Sequence, residues 1–223
     1  MTKIETKLAG RGPGAQITYF AMRNFWWIVL KVWCRLTVVG AENIPATGPF
    51  VLAPTHRSII DTPIASAATR RRLRFMGADK WWKNRQFGWL LSALGGFPVS
   101  RGAADREALK RGIDVLTEGE PLVLFPEGER KSGPTVQPLF HGAAFMAVKA
   151  GVPIIPVGIG GSERVMPKGA KFIYPRKLVM HIGRPIEVAR DAGGKVPRAA
   201  VRDITEQLHA ELQRLFDLAQ PAK

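Results

Sequence analysis

Leu122, Val123, Leu124 and Phe125 follow one another with no polar residue between them. Successive side chains of a strand point to opposite faces, so a strand with one wet face alternates apolar and polar residues. An unbroken apolar run therefore describes a strand covered on both faces, as in a parallel sheet with helices above and below it. Phe50-Val51-Leu52-Ala53 and the Pro-flanked run Val152-Pro153-Ile154-Ile155-Pro156-Val157-Gly158-Ile159 also read as strands. Shorter strands are expected at 36–40, 73–77 and 178–182, with a turn into another at 95–101. Between them lie stretches of helical character: from about 61 to 69, then 81–94, 105–118, 140–150 and 199–219. In the last of these Val201, Ile204, Leu208, Leu212, Leu215 and Phe216 recur at helical spacing. Strands alternating with helices specify an α/β fold. The expectation is a single domain with a mixed, mostly parallel sheet flanked by helices, because 223 residues suffice for one sizeable core and not comfortably for two.

The charge balance narrows the partners. Lys and Arg total 33 against 18 for Asp and Glu, a formal net charge of +15. A field of that sign attracts anions such as nucleic acid, anionic lipid or phosphorylated substrates, and charge does not choose among them. The basic residues are dispersed and no nucleic-acid recognition motif is present, so nucleic acid is not the expected partner. The one cysteine, Cys34, excludes an intrachain disulfide and suits a reducing compartment. It reads as a small apolar residue beside Trp33 rather than as a nucleophile.

Residues 1–14 are polar, end in Gly10-Arg11-Gly12-Pro13-Gly14, and are expected to form a flexible arm rather than a cleaved signal. No stretch reaches the roughly 18 uninterrupted apolar residues of a spanning helix. Residues 15–36 are unusually aromatic, with Tyr19, Phe20, Phe25, Trp26, Trp27 and Trp33. Their polar residues Gln16, Arg23, Asn24, Lys31 and Arg35 fall within a sector of roughly 120° on a helix. A wide aromatic face with a basic stripe describes an amphipathic, membrane-associating helix lying in the interface plane. Arg70, Arg71, Arg72, Arg74, Lys80, Lys83 and Arg85 cluster near Trp81, Trp82, Phe87 and Trp89, and extend the expected docking surface. An alternative reading of both regions is core aromatics beside a solvated basic face.

The candidate chemistry lies where strands end. His56 sits in the turn after the run at 50–53, and Asp61 lies five residues on. That spacing lets a carboxylate reach the imidazole, fix its tautomer and leave the other ring nitrogen as a general base. Arg101 follows Gly95-Gly96. Phe125-Pro126-Glu127-Gly128-Glu129-Arg130 closes the strongest strand. Arginine forks suit phosphate oxygens, and ligands bind at strand ends in α/β sheets. His141, His181 and His209 read as structural or surface residues, and no Cys/His cluster has metal-ligand spacing.

Together these segments resemble the glycerolipid acyltransferase family that includes bacterial 1-acylglycerol-3-phosphate acyltransferase. Four blocks occur in the family's order: His56 to Asp61 as H-x4-D, Gly96-Phe97-Pro98-Val99-Ser100-Arg101, Phe125-Pro126-Glu127-Gly128 with Arg130, and Val152-Pro153-Ile154-Ile155-Pro156-Val157. The chain departs from the family's pattern at Thr55, where Asn is frequent, and at Glu129, where Thr is common. The resemblance implies an acyltransferase domain at 37–223. It would move a fatty acyl group from acyl-CoA or acyl carrier protein to a hydroxyl of a glycerol phosphate lipid. The first acceptor is 1-acylglycerol-3-phosphate (lysophosphatidic acid), giving phosphatidic acid; the alternatives are glycerol 3-phosphate or another lysophospholipid. His56 would be the base and Asp61 its orienting carboxylate. Arg101, Arg130 and, more weakly, Lys80 would bind substrate phosphate, and Glu127 and Gly128 would shape the acceptor site. No metal or cofactor is implied. The expected place is the cytoplasmic face of the cell membrane, as a monotopic or peripheral protein on an anionic lipid surface.

Overall fold

The alternating side chains of β2 (Val51–Pro54) divide the core in two. Leu52 enters one apolar cluster, with Leu36, Ile64, Val157 and Met180. Val51 and Ala53 enter the other, with Met146, Leu208, Leu212 and Phe216. All four residues of the strand are buried, which explains the unbroken apolar run.

These features come from a computed structural model that describes residues 12–99, 106–189 and 196–220. The chain opens with α1 (Pro13–Ile28), which runs into a π-helical turn at Val29–Trp33, and then forms β1 (Thr37–Val39). After β2 come α2 (Asp61–Ala67), β3 (Arg74–Ala78), α3 (Arg85–Ala93) and β4 (Gly96–Val99). Next are α4 (Arg106–Thr117), β5 (Leu122–Val123), α5 (Gly142–Ala150) and β6 (Ile154–Gly160). The chain closes with α6 (Ser162–Val165), β7 (Val179–Ile182) and α7 (Arg198–Leu218). The strands form one sheet in the order β1-β7-β6-β2-β5-β3-β4. Neighbouring strands are parallel except β6 and β7, which are antiparallel. The α/β class and the mostly parallel, mixed sheet are as the sequence leads one to expect.

α7 lies so close to β6 that only glycine fits beneath it. A Cβ on Gly158 would stand 2.3 Å from the Leu215 carbonyl carbon, and one on Gly160 would stand 2.0 Å from the Ala219 oxygen.

Two local expectations are revised. The helix expected at 81–94 is interrupted. A 3-10 turn, Asp79–Lys83, precedes Asn84, whose side chain accepts from the Phe87 N–H at 3.0 Å and caps α3. Asparagine favours this position because its side chain satisfies an otherwise orphaned donor. Trp82 is also only half-exposed on the expected docking face. Its indole donates to Ser92 Oγ at 2.9 Å, and its ring packs against Gly77, Gly88 and Gly96. Trp81, Phe87 and Trp89 are exposed.

The first helix begins at Pro13, just inside the expected arm, and residues 1–11 of that arm lie outside the described residues. α1 is held down by Ala15 and by Tyr19, whose hydroxyl accepts from the Leu73 N–H at 2.9 Å. Burial pushes the Tyr19 phenol above its ordinary pKa. Arg23 is half-buried and donates to the Thr69 carbonyl. Ile17, Phe20, Phe25, Trp27, Ile28, Val32 and Trp33 are exposed, Val32 to 73%. No described helix is long and apolar enough to cross a membrane.

Candidate active site

The parallel strands β6, β2, β5, β3 and β4 end at one edge of the sheet, and the segments leaving that edge build the site. β2 delivers Thr55, whose hydroxyl accepts from the Ile159 N–H at 3.0 Å. His56 follows in the turn and Asp61 opens α2. The family's frequent Asn before the histidine is thus replaced by a residue that ties this turn to β6.

His56 Nδ1 lies 3.1 Å from Asp61 Oδ2. The same oxygen accepts from the backbone N–H groups of Arg57 and Ser58, both at 2.6 Å. The Asp61 side chain is fully buried, while that of His56 is 16% exposed. A carboxylate held by two backbone N–H groups at a helix start remains an acceptor, so the histidine nitrogen facing it carries the proton. Nε2 then keeps its lone pair free for a substrate proton. The imidazole stacks on Phe125 at 3.9 Å between ring centroids, which fixes its plane.

Glu127, after β5, stands behind this turn. It does not line the cleft: its carboxylate is fully buried. Oε1 accepts from the His56 N–H at 3.1 Å and from Arg57 Nη1 at 2.7 Å. Oε2 accepts from Arg57 Nη1 at 2.9 Å and from the Gln137 N–H at 3.1 Å. Arg57 also donates to the carbonyls of His56 and Thr135, and its guanidinium lies 4.7 Å from the Phe216 ring centroid. The pair therefore joins the histidine turn, the 127–137 segment and the end of α7. Sequence reasoning missed Arg57, although it adjoins His56. Its charge was visible and its burial was not.

Gly128 turns the chain with φ +72°, and a Cβ there would meet the Phe140 ring at 2.6 Å. That conformation brings the next residues round to face His56. A cavity of ≈ 270 Å³ opens there, lined by His56, Ser58, Gly128, Arg130, Lys131 and Lys168 among others. Glu129 also lines it, with its carboxylate 2.8 Å from Lys131 Nζ. Ser58 Oγ donates to the Met166 carbonyl at 2.7 Å, which brings the segment after α6 to the cleft wall. Lys131 and Lys168 were not singled out from the sequence. Lys168 stands 112 positions from His56, and nothing in the linear pattern marks it.

The other expected site residues are placed unevenly. Lys80 lies in the turn after β3, at the same sheet edge, exposed and 5.1 Å from the Trp81 ring centroid. It is not among the cleft-lining residues. Arg101 lies outside the described residues; β4 ends two residues before it, at that edge. His141 contacts Thr205 Oγ1 and His209 contacts the Val136 carbonyl, both at 3.0 Å, as structural histidines do. Among the described residues no group of three or more His, Cys, Asp or Glu side chains is gathered to hold a metal ion.

A histidine–carboxylate pair at the mouth of a cationic cleft suits proton removal from a hydroxyl of an anionic substrate. Comparison with known proteins meets this geometry. A family model described as Acyltransferase matches residues 35–160, more than half of the chain. The chain belongs to the acyltransferase family. It is 30% identical to a 1-acyl-sn-glycerol-3-phosphate acyltransferase of Streptococcus pneumoniae, over 91% of this chain and 74% of that one. It is 28% identical to one of Bacillus subtilis, over 85% of this chain and 94% of that one. A chloroplastic relative from Brassica napus is 26% identical over 68% of this chain, and the match spans 47% of that longer protein. The fold matches the crystal structure of the 1-acyl-sn-glycerophosphate acyltransferase of Thermotoga maritima with a TM-score of 0.72 and 24% identity, covering 92% of this chain and 81% of that one. This acyltransferase thus carries its His56–Asp61 pair inside the matched region.

Proposed function

We propose that this O-acyltransferase moves a fatty acyl group from acyl-CoA or acyl carrier protein to the free hydroxyl of 1-acylglycerol-3-phosphate. The observation that carries the reading is the 3.1 Å His56–Asp61 pair facing a cavity lined by Arg130, Lys131 and Lys168. The relatives' names support the acceptor.

In this reading the acceptor hydroxyl gives its proton to His56 Nε2 as its oxygen attacks the thioester carbonyl carbon. Asp61 holds Nδ1–H and stabilises the imidazolium that forms. The tetrahedral adduct collapses, the C–S bond breaks, and the departing sulfur takes the proton back from His56. An ester and a thiol result, with no covalent acyl-enzyme. Arg130 and Lys168, with Arg101 as a further ligand, hold the acceptor phosphate. Glu127 and Gly128 shape the acceptor site from behind, through the turn and the Arg57 ion pair. Lys80 serves at the rim.

Membrane seating follows from the same substrates. The exposed aromatic face of the first helix, with Trp81, Phe87 and Trp89, enters the interface of an anionic bilayer at its cytoplasmic side. Lysophosphatidate and acyl-CoA then reach the cleft from that surface.

Glu129 favours a second acceptor class. A carboxylate in the cleft suits an acceptor carrying an amino group, and a Pseudomonas aeruginosa relative, 28% identical over 79% of this chain, is named a lyso-ornithine lipid O-acyltransferase. An acceptor panel with labelled acyl-CoA, run with wild type and Glu129→Thr, decides. The proposal expects lysophosphatidate to be preferred by wild type. Preference for an amine-bearing lysolipid, shifted toward lysophosphatidate by Glu129→Thr, overturns it in favour of the second reading.

A further inference from the structure

Residues 166–177 connect α6 to β7 and carry two features at the cleft. Met166 and Lys168 line the cavity in front of His56. A few residues on, Phe172 is 74% exposed and Tyr174 46% exposed, and Lys171, Arg176 and Lys177 are exposed around them. An isolated exposed aromatic is ordinary. Two on one tip, ringed by cations, form the amphipathic pattern of interfacial anchors.

The tip is braced rather than loose. Ile173, between the two aromatics, packs on the core cluster beneath. The Tyr174 N–H donates to the Val165 carbonyl at 2.8 Å. The segment is also tied to the end of the first helix. Trp33 Nε1 donates to the Ile173 carbonyl at 2.9 Å, Arg35 Nη2 to the Pro175 carbonyl at 3.4 Å, and the Leu178 N–H to the Cys34 carbonyl at 3.0 Å. The exposed Trp33 indole therefore lies against the backbone between the exposed Phe172 and Tyr174. A bilayer is the occupant this chemistry fits. The apolar tip removes its surface from water among the acyl chains, while the cations meet the headgroup phosphates.

We propose that residues 166–177 are a second membrane anchor, in which Phe172 and Tyr174 enter the interface of an anionic bilayer and hold the His56 cleft at headgroup depth. This rests on the membrane reading above and goes beyond it. The first helix would attach the protein, and this segment would set the height and tilt of the cleft through Met166 and Lys168.

The test is an environment-sensitive fluorophore on a Phe172→Cys variant of the full chain. Cys34 is fully buried and its thiol pKa is pushed up by burial, so the introduced thiol is the one that reacts. Companion labels sit at Val32→Cys on the first helix and at Glu206→Cys on the exposed face of α7. On vesicles of equal parts phosphatidylglycerol and phosphatidylcholine, the label at 172 should shift to the blue and be quenched by spin-labelled lipid, while that at 206 should not. Phe172→Ala/Tyr174→Ala should weaken vesicle binding by roughly tenfold. It should also lower turnover of vesicle-borne acceptor and leave turnover of a short-chain, water-soluble acceptor unchanged. Quenching at 32 but not at 172, with the double variant binding like wild type, overturns this inference and leaves the membrane reading standing. No vesicle binding by wild type overturns both.

Discussion

Replacing Arg57 by methionine isolates what holds the active-site turn. Glu127 is fully buried, and Arg57 Nη1 approaches both of its carboxylate oxygens, at 2.7 and 2.9 Å. Without the guanidinium, the carboxylate keeps the backbone N–H groups of His56 and Gln137 but loses its compensating charge. The carbonyls of His56 and Thr135 lose a donor as well. Breaking a buried pair by removing one partner costs about 3–5 kcal/mol. For a chain of this size that lowers Tm by roughly 6–20 °C. The second arm is Arg57→Met/Glu127→Gln. The neutral amide oxygen can still accept one of the two N–H groups, and the other is left facing the amide NH2, donor to donor, at about 1–3 kcal/mol. The double variant should therefore be about 2 kcal/mol more stable than Arg57→Met, as read by urea unfolding followed by tryptophan fluorescence. A single variant that costs less than about 1 kcal/mol, or a double variant no more stable than the single, refutes the reasoning.

Three further outcomes follow. Gly158→Ala drives a methyl into the Leu215 backbone and should cost about 2 kcal/mol or more, lowering Tm by roughly 4–8 °C in a thermal melt. Arg130→Ala and Lys168→Ala should each raise KM for the phosphate-bearing acceptor by roughly tenfold or more while changing kcat less, as steady-state kinetics would read. The buried Cys34 thiol has its pKa raised by desolvation in the folded state. Its contribution to stability is then complete below the unfolded thiol's pKa and is lost as pH rises through the raised folded value. Denaturant melts of wild type and Cys34→Ala should therefore converge as pH increases through the alkaline range.

The parts of the fold that could be read from the residues are those where burial leaves a linear trace. β2 and β6 are covered on both faces, so their apolar runs are continuous. α7 is covered on one, so Leu208, Leu212 and Leu215 recur with the helical period. The reversal of β7 against β6 left no such trace, because strand direction depends on the path of the intervening segment. α6 spans four residues, too few for a period to show. Asn84, between Lys83 and Arg85, could have been recognised as a cap, since asparagine supplies the side-chain acceptor favoured just before the first turn of a helix. At the site, His56 and Asp61 were legible because five residues across a strand-to-helix turn are a local matter. Glu127 was visible as a residue, but its direction was not. A carboxylate in a loop can face solvent or the core, and here it is Arg57, 70 positions earlier, that draws it inward.

The account rests on His56 Nε2 taking the proton of a lipid hydroxyl while Asp61 holds the opposite ring nitrogen. Single-turnover acyl transfer from acyl-CoA to lysophosphatidate, compared for wild type, His56→Ala and Asp61→Asn with matched folding by circular dichroism, tests this most directly. The transfer rate should fall by roughly 10²–10⁴-fold in His56→Ala and substantially in Asp61→Asn. Transfer at an undiminished rate by a folded His56→Ala protein would contradict the account.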